Sequence, residues 1–349
     1  GTQAYFLCNR KWPGDYEVCR VNVDGSDLKE VTALNGVEDF ALAPNNQQIA
    51  VRYSGSYLPP QLALVNAQSG ETKILTDTRS DEFKARSFIQ PENVQVPSKH
   101  GAGVIWSKLY KPANFEAGKK YPVVMFVHGA GYLQNVSNRY PNYFREQMFN
   151  NMLVEKGYIV LDMDYRASEG YGRDWRTAIY RQMGHPELDD YIDGVDYMIA
   201  NNQGDKTNVG MYGGSYGGFM AFMALFRAPD VFKAGAALRP VTDWTSYNHE
   251  YTANILNTPE LDPEAYKISS PIEYAQNLKG ALLISHGMMD DNVFYQDSVR
   301  LSQRLIEMKK SNWTMASFPL ERHSFVQPES WYDQYRRIYE LFEANLKTK

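Results

Sequence analysis

Asn208-Val209-Gly210-Met211-Tyr212-Gly213-Gly214-Ser215-Tyr216-Gly217-Gly218-Phe219 is the stretch that decides how most of this chain is read. Val209 to Tyr212 is a short apolar run of the length of a buried strand. Gly-x-Ser-x-Gly follows it, and an apolar, helix-suited stretch runs from Phe219 to Phe226. A strand, a serine between glycines and a helix, in that order, form a nucleophile elbow. The turn is so tight that the serine takes a strained backbone, and Gly213 and Gly217 are small because neighbouring chain passes against them. The Tyr216 amide opens a helix, where a backbone N–H and the helix dipole both favour a developing oxyanion. Ser215 is therefore the expected nucleophile, with Tyr216 supplying one oxyanion donor.

Working outward, short apolar runs alternate with amphipathic ones. Strands are expected at Val104–Tyr110, Val123–Val127, Tyr158–Leu161, Val209–Tyr212, Gly235–Leu238, Ala281–Ser285 and Trp313–Phe318. Helices are expected at Tyr143–Lys156, Asp189–Asn201 and Asp297–Lys309, the last with Val299, Leu301, Leu305 and Ile306 at helical spacing. Such alternation implies a mostly parallel, doubly wound sheet, here the α/β-hydrolase fold. A serine nucleophile needs a base, and the base needs an acid to hold its tautomer. In this fold the order is Ser, acid, His. His323 follows the last strand and precedes the C-terminal helix, so it is the expected base. His286 ends a strand and braces the loop in which the acid belongs, and His249 sits in a mid-domain insertion. Asp290 and Asp291 are adjacent in that loop, and spacing does not choose between them. The second oxyanion donor is expected after Val127, at His128-Gly129-Ala130-Gly131-Tyr132: the Gly129 amide, with His128 as side-chain donor or as shaping group.

The first 80 or so residues read differently. Glu17-Val18-Cys19-Arg20-Val21-Asn22-Val23 and Lys29-Glu30-Val31-Thr32, with Asp24-Gly25 between them, recur 44 positions later as Gln61-Leu62-Ala63-Leu64-Val65-Asn66-Ala67 and Lys73-Ile74-Leu75-Thr76, with Ser69-Gly70 between them. Each unit reads as strand, tight turn, strand. A β-repeat of this length suggests propeller blades. Two blades do not close a ring, so a partial β-propeller is expected over 1–82, with Asp77–Glu82 as a polar linker and the hydrolase domain over 83–349.

Bulk properties narrow the class. The chain has 349 residues, is 43% hydrophobic and 22% charged, and carries a net charge of −5. No basic stripe points to nucleic acid, and no apolar run is long enough to span a membrane. No metal-ligand spacing or phosphate loop implies a cofactor. Cys8 and Cys19 read either as one hairpin disulfide or as two ordinary thiols. The chain opens on Gly1 rather than Met, which reads as a processed or an engineered N-terminus.

Together the quoted residues resemble the prolyl oligopeptidase family, its dipeptidyl-peptidase IV branch in particular, from about Phe83 onward. The matching motifs are Gly213-Gly214-Ser215-Tyr216-Gly217-Gly218, then His286-Gly287-x-x-Asp290-Asp291-Asn292-Val293. A third is Asp164-Tyr165-Arg166-Ala167-Ser168 with Gly170-Tyr171-Gly172, in which Ala167 replaces one Gly. The resemblance implies a serine peptidase cutting after proline or alanine in short peptides. It selects Asp290 as the acid, and a propeller before the hydrolase domain fits that family's order. It also implies a proline pocket walled by Tyr216, Val241, Trp244, Tyr247, Tyr251 and Val293, with Asn292 near the substrate carbonyl; a flat aromatic slot suits a pyrrolidine ring. Three departures stand out. His128 replaces the oxyanion tyrosine of the dipeptidyl-peptidase branch, though acylaminoacyl-peptidase relatives also have a His-Gly turn. Arg322 precedes His323 where relatives often carry an acid. No Glu-Glu pair for gripping a substrate N-terminus is present. An esterase or acylaminoacyl-peptidase on the same triad and an inactive binding module are the competing readings. A homodimer and a periplasmic or secreted location are compatible with the sequence.

Overall fold

The computed structural model describes residues 1–347. It has two compact units: Gly1–Gln90 with Asn135–Gln147, and Pro91–Gln134 with the chain from Met148 onward.

The first unit contains two antiparallel sheets. One joins β1 (Gln3–Cys8), β2 (Glu17–Asn22) and β3 (Lys29–Glu30); the other is the meander β4 (Val37–Leu42), β5 (Gln48–Gly55), β6 (Leu58–Asn66) and β7 (Thr72–Ile74). The sequence repeat is a structural repeat. The Thr32 hydroxyl accepts from the Val18 amide at 2.8 Å and donates to Glu17, while Thr76 accepts from Leu62 at 2.9 Å and donates to Gln61. Each turn closes on its asparagine through a glycine at positive φ, Gly25 N on Asn22 O across three residues and Gly70 N on Asn66 O across four. Inward alternation along β5 buries Ile49, Val51 and Tyr53 against Val18, Val37 and Val65. The stretch read as a linker carries a short helix, α1 (Asp81–Ala85), capped by Ser80. Within the Asn135–Gln147 excursion, Arg139 lies over the Tyr16 ring at 3.6 Å and donates to the Val37 carbonyl.

Cys8 and Cys19 are bonded, with their Cα atoms 5.9 Å apart. They lie diagonally across the β1–β2 ladder, in which Cys8 faces Glu17 and Phe6 faces Cys19. Closing so short a loop is worth about 3 kcal/mol through the unfolded chain. Replacing both cysteines by serine should therefore lower the unfolding free energy of the first unit by about 3 kcal/mol, read as a lower urea midpoint. An unchanged midpoint would deny the bond a stabilising role.

After β8 (Glu92–Pro97), β9 (Val104–Tyr110) and β10 (Tyr121–Val127), helix α2 (Phe144–Glu155) leads to β11 (Ile159–Met163). Then follow α3 (Arg173–Arg176), α4 (Pro186–Asn201), β12 (Gly204–Gly214), α5 (Tyr216–Arg227) and β13 (Ala234–Leu238). The chain continues through α6 (His249–Leu256), α7 (Pro263–Ser269), β14 (Ala281–Gly287), α8 (Gln296–Glu307), β15 (Trp313–Phe318) and α9 (Pro328–Leu346). The eight-stranded sheet has the order β15-β14-β13-β12-β10-β11-β9-β8. The run β15 to β11 is parallel; β9 joins β11, and β8 joins β9, antiparallel. This is the α/β-hydrolase fold. All the expected strands are present, and β8 is an addition. Helix α5 is buried from Tyr216 to Phe226, as its all-apolar sequence requires. In α8 the reading needs correction: Leu301 and Leu305 are buried, but Val299 and Ile306 are 46% and 58% exposed. The buried stripe is narrower than the four-residue pattern suggested.

Candidate active site

β12 delivers Ser215 at φ 59°, ψ −117°, a left-handed backbone that costs a non-glycine residue energy. Three constraints hold it there. The Ser215 amide donates to Leu238 O at 2.8 Å, and its carbonyl accepts from Phe219 N at 2.9 Å. A Cβ on Gly213 or Gly217 would collide with the Val127 carbonyl, so β10 and α5 meet only because both residues are glycine. Tyr216 is the first residue of α5, so helix geometry gives its amide no intrahelical acceptor.

His323 comes from the loop between β15 and α9, and Asp290 from the loop after β14. His323 Nε2 lies 3.0 Å from Ser215 Oγ, and Nδ1 lies 2.8 Å from Asp290 Oδ2. Asp291 is set apart: its side chain is 71% exposed and faces Arg322 at 3.8 Å, whereas that of Asp290 is fully buried. Asp290 Oδ1 accepts from the amides of Asn292 and Val293, both at 2.9 Å. His286 Nε2 reaches Asp290 Oδ2 at 3.2 Å and Val293 O at 2.9 Å, while Nδ1 meets Ser298 Oγ at 2.7 Å. Two acceptors on one nitrogen and a hydroxyl on the other fit the tautomer protonated at Nε2. Burial opposes a charge on Asp290, but hydrogen bonds from His286 and His323 prevail and hold the carboxyl well below its ordinary value. Burial pushes the His323 imidazole below its ordinary 6.5; the Asp290 hydrogen bond pulls it up, and the Arg239 charge lowers it further.

His128 is fully buried, its ring stacked on Tyr165 at 4.4 Å. Nδ1 meets Gly129 O at 2.9 Å and Nε2 meets Ser168 Oγ at 3.0 Å, and burial holds the ring down at about 4. The expectation of a side-chain oxyanion donor at His128 needs correction: no ring nitrogen is left for a substrate. The ring shapes the turn that carries Gly129. His249, at the start of α6, is exposed.

The expected pocket residues converge. Trp244 packs its ring 5.7 Å from Tyr216, 5.6 Å from Tyr247 and 6.1 Å from Tyr251. Val241 and Val293 are buried in the same core as Trp244 and Tyr216, and the Tyr247 hydroxyl donates to Asn292 Oδ1 at 2.8 Å. Asp297 fixes the wall by accepting from the Thr242 amide at 2.8 Å. Sequence reading missed Tyr132, which extends the cluster at 6.0 Å from Tyr251, and Glu187, to which the Tyr216 hydroxyl donates. Burial pushes the Glu187 carboxyl up to about 7, against hydrogen bonds from Tyr216 and Gly184. Tyr132 stands in the Gly-rich turn already singled out. Glu187 reads locally as an ordinary first-turn acid of α4. Among the described residues no cluster of His, Cys, Asp or Glu could hold a metal ion, and no helix is long and apolar enough to cross a membrane.

Residues 144–349 match the prolyl oligopeptidase family of peptidases. This chain belongs to that family. Among curated relatives, a probable dipeptidyl-aminopeptidase B of Aspergillus terreus is 28% identical over 96% of this chain and 37% of its own length. Human dipeptidyl peptidase 8 is 32% identical over 75% of this chain and 29% of its own. The crystal structure of Porphyromonas gingivalis dipeptidyl peptidase 4 superposes with a TM-score of 0.90 at 27% identity, covering 99% of this chain and 48% of that one. A complexed acylaminoacyl peptidase gives 0.81 at 24% identity, over 100% of this chain and 55% of that one, and shows the shared fold. The family member described here thus spans about a third of the length of those curated relatives.

A base must be neutral to accept a proton. Because His323 is held below 6.5, labelling of Ser215 by a fluorophosphonate should stay fast as pH falls through 6.5 and fail only below it. An acid limb at or above 6.5 would contradict this environment.

Proposed function

We propose that the protein is a serine peptidase that hydrolyses short peptides after proline, and more slowly after alanine. The observation that carries the reading is the unbroken hydrogen-bonded line from Ser215 Oγ through His323 to Asp290 at a strained elbow. Ser215 attacks the scissile carbonyl as His323 Nε2 takes its proton. Asp290 holds the Nδ1–H tautomer and stabilises the imidazolium. The amides of Tyr216 and Gly129 receive the oxyanion. His323 then protonates the leaving amine, and water releases the acyl group by the reverse steps. Tyr216, Val241, Trp244, Tyr247, Tyr251 and Val293 form the slot for the proline ring, and Asn292 orients the preceding carbonyl. The dipeptidyl peptidases among the relatives support this substrate class. The four-stranded meander β4–β7 and the partial repeat before it are read as propeller blades, and the Cys8–Cys19 bond favours an oxidising compartment.

Ser215→Ala should lower turnover by roughly ten-thousandfold, as loss of a triad nucleophile does. Asp290→Asn should impair it far more than Asp291→Asn. Fluorophosphonate labelling at another serine, or a dead Asp291 variant beside an active Asp290 one, would overturn the assignment. Equal kcat/KM for cleavage after Pro and after Leu would remove the pocket reading and favour an esterase or acylaminoacyl peptidase.

Substrate binding remote from the cut normally contributes to turnover. An upstream-extended version with a closed propeller is expected to exceed this chain in peptide kcat/KM. The two should react alike with a small phosphonate. Matching peptide rates would make the propeller dispensable.

A further inference from the structure

Arg239 stands just past the end of β13, with a left-handed backbone (φ 42°) and its amide bonded to Ser285 O at 2.6 Å. The residue is only 8% exposed. Its guanidinium packs against Gly214 of the nucleophile turn. A Cβ on Gly214 would lie 2.7 Å from Nη2 and 2.8 Å from Cζ, so the missing side chain before Ser215 is what gives the guanidinium its room.

Among the described residues no carboxylate pairs with this guanidinium, and the buried Nη1 has no hydrogen-bond partner. Other sheltered arginines are different. Arg20 faces Asp27 at 3.6 Å and Gln68 at 2.9 Å, and Arg166 meets Asp190 at 2.9 Å. A buried cation without a counter-charge is costly, and its protein normally supplies a partner. The nearby acids are engaged elsewhere. Asp290 serves His323, His286 and two amides; Glu321 accepts from the amides of Val326 and Gln327; Asp291 faces Arg322.

The place of the charge says what would satisfy it. Arg239 lies within electrostatic reach of His323, and the base hands its proton to the leaving amine, so the leaving group stands on this side of Ser215. The acyl side is marked by the aromatic cluster, where the cation is instead Arg176, over Tyr132 at 5.2 Å. The guanidinium adjoins the residue next to the nucleophile. Neighbouring Cα atoms are ~3.8 Å apart, so the charge stands within a residue or two of the serine that is acylated.

We propose that Arg239 forms an anion subsite on the leaving-group side, filled by the free α-carboxylate of a substrate that ends one residue after the cut. The subsite rests on the hydrolytic reading above and adds that tripeptide-length substrates with a free C-terminus are preferred. A carboxylate there would complete a charge-assisted, fork-like pair of hydrogen bonds.

The test compares Ala-Pro-Ala as the free acid with its C-terminal amide on the unmodified protein. The acid should show kcat/KM about tenfold or more above the amide, the range of a charge-assisted hydrogen bond. Arg239→Gln should collapse that ratio toward one, and Arg239→Lys should keep part of it. Equal rates for acid and amide in the unmodified protein would overturn the subsite, whether or not either variant folds. Failure to cut either peptide, while Ser215 still takes the phosphonate, would count against the post-proline reading instead. The subsite is then read from protection of Ser215 against labelling. The acid must protect at about tenfold lower concentration than the amide, and equal protection overturns it.

Discussion

A single backbone conformation, Ser215 at φ 59°, is what the rest of the second unit has to sustain. A non-glycine residue there relaxes unless its surroundings forbid it. β12 cannot straighten, because the Ser215 amide is tied to Leu238 O and α5 starts at once with Tyr216. α5 cannot move away, because every residue from Tyr216 to Phe226 is buried. The strain puts the serine hydroxyl at the carboxyl end of the sheet, where the loops after β14 and β15 end.

Those loops solve a second problem, which is to keep a carboxylate charged in a buried place. Asp290 succeeds because each oxygen has donors: two amides on Oδ1, and His286 with His323 on Oδ2. His286 is itself fixed by Ser298 and Val293 O, so the acid, its brace and the base form one connected network. In such a network each partner orients the next, and removal of one leaves the others underbonded.

Much of this was legible in the sequence because it is local. The elbow, the strand periods and the 44-residue repeat are patterns within a few residues of one another, and the repeat extends to the Thr32–Glu17 and Thr76–Gln61 bonds. The choice of Asp290 over Asp291 needed family resemblance, since neighbours in one loop differ only in which way they face. Other features were not legible because they depend on distant chain. The His128 ring is claimed by Ser168 and stacked on Tyr165, partners some forty residues away. Glu187 looks like a helix-start acid until Tyr216 is seen against it. Arg239 looks like a surface cation until Gly214 is found to make room for it. Val299 and Ile306 show the reverse failure, a helical period wider than the face that packs.

The excursion Asn135–Gln147 belongs to the first unit although the chain on either side belongs to the second. During synthesis the first unit is therefore still missing a piece when Gln90 has been made, and stays so until Gln147 emerges. By then β8, β9 and β10 already exist without β11, which lies between β9 and β10 in the sheet, and without β12. N-terminal units usually mature first on the ribosome; here the first must wait for a segment encoded inside the second. For the same reason a protease cut after Gln90 would not free an intact first unit, since Arg139 and its neighbours would remain on the other fragment.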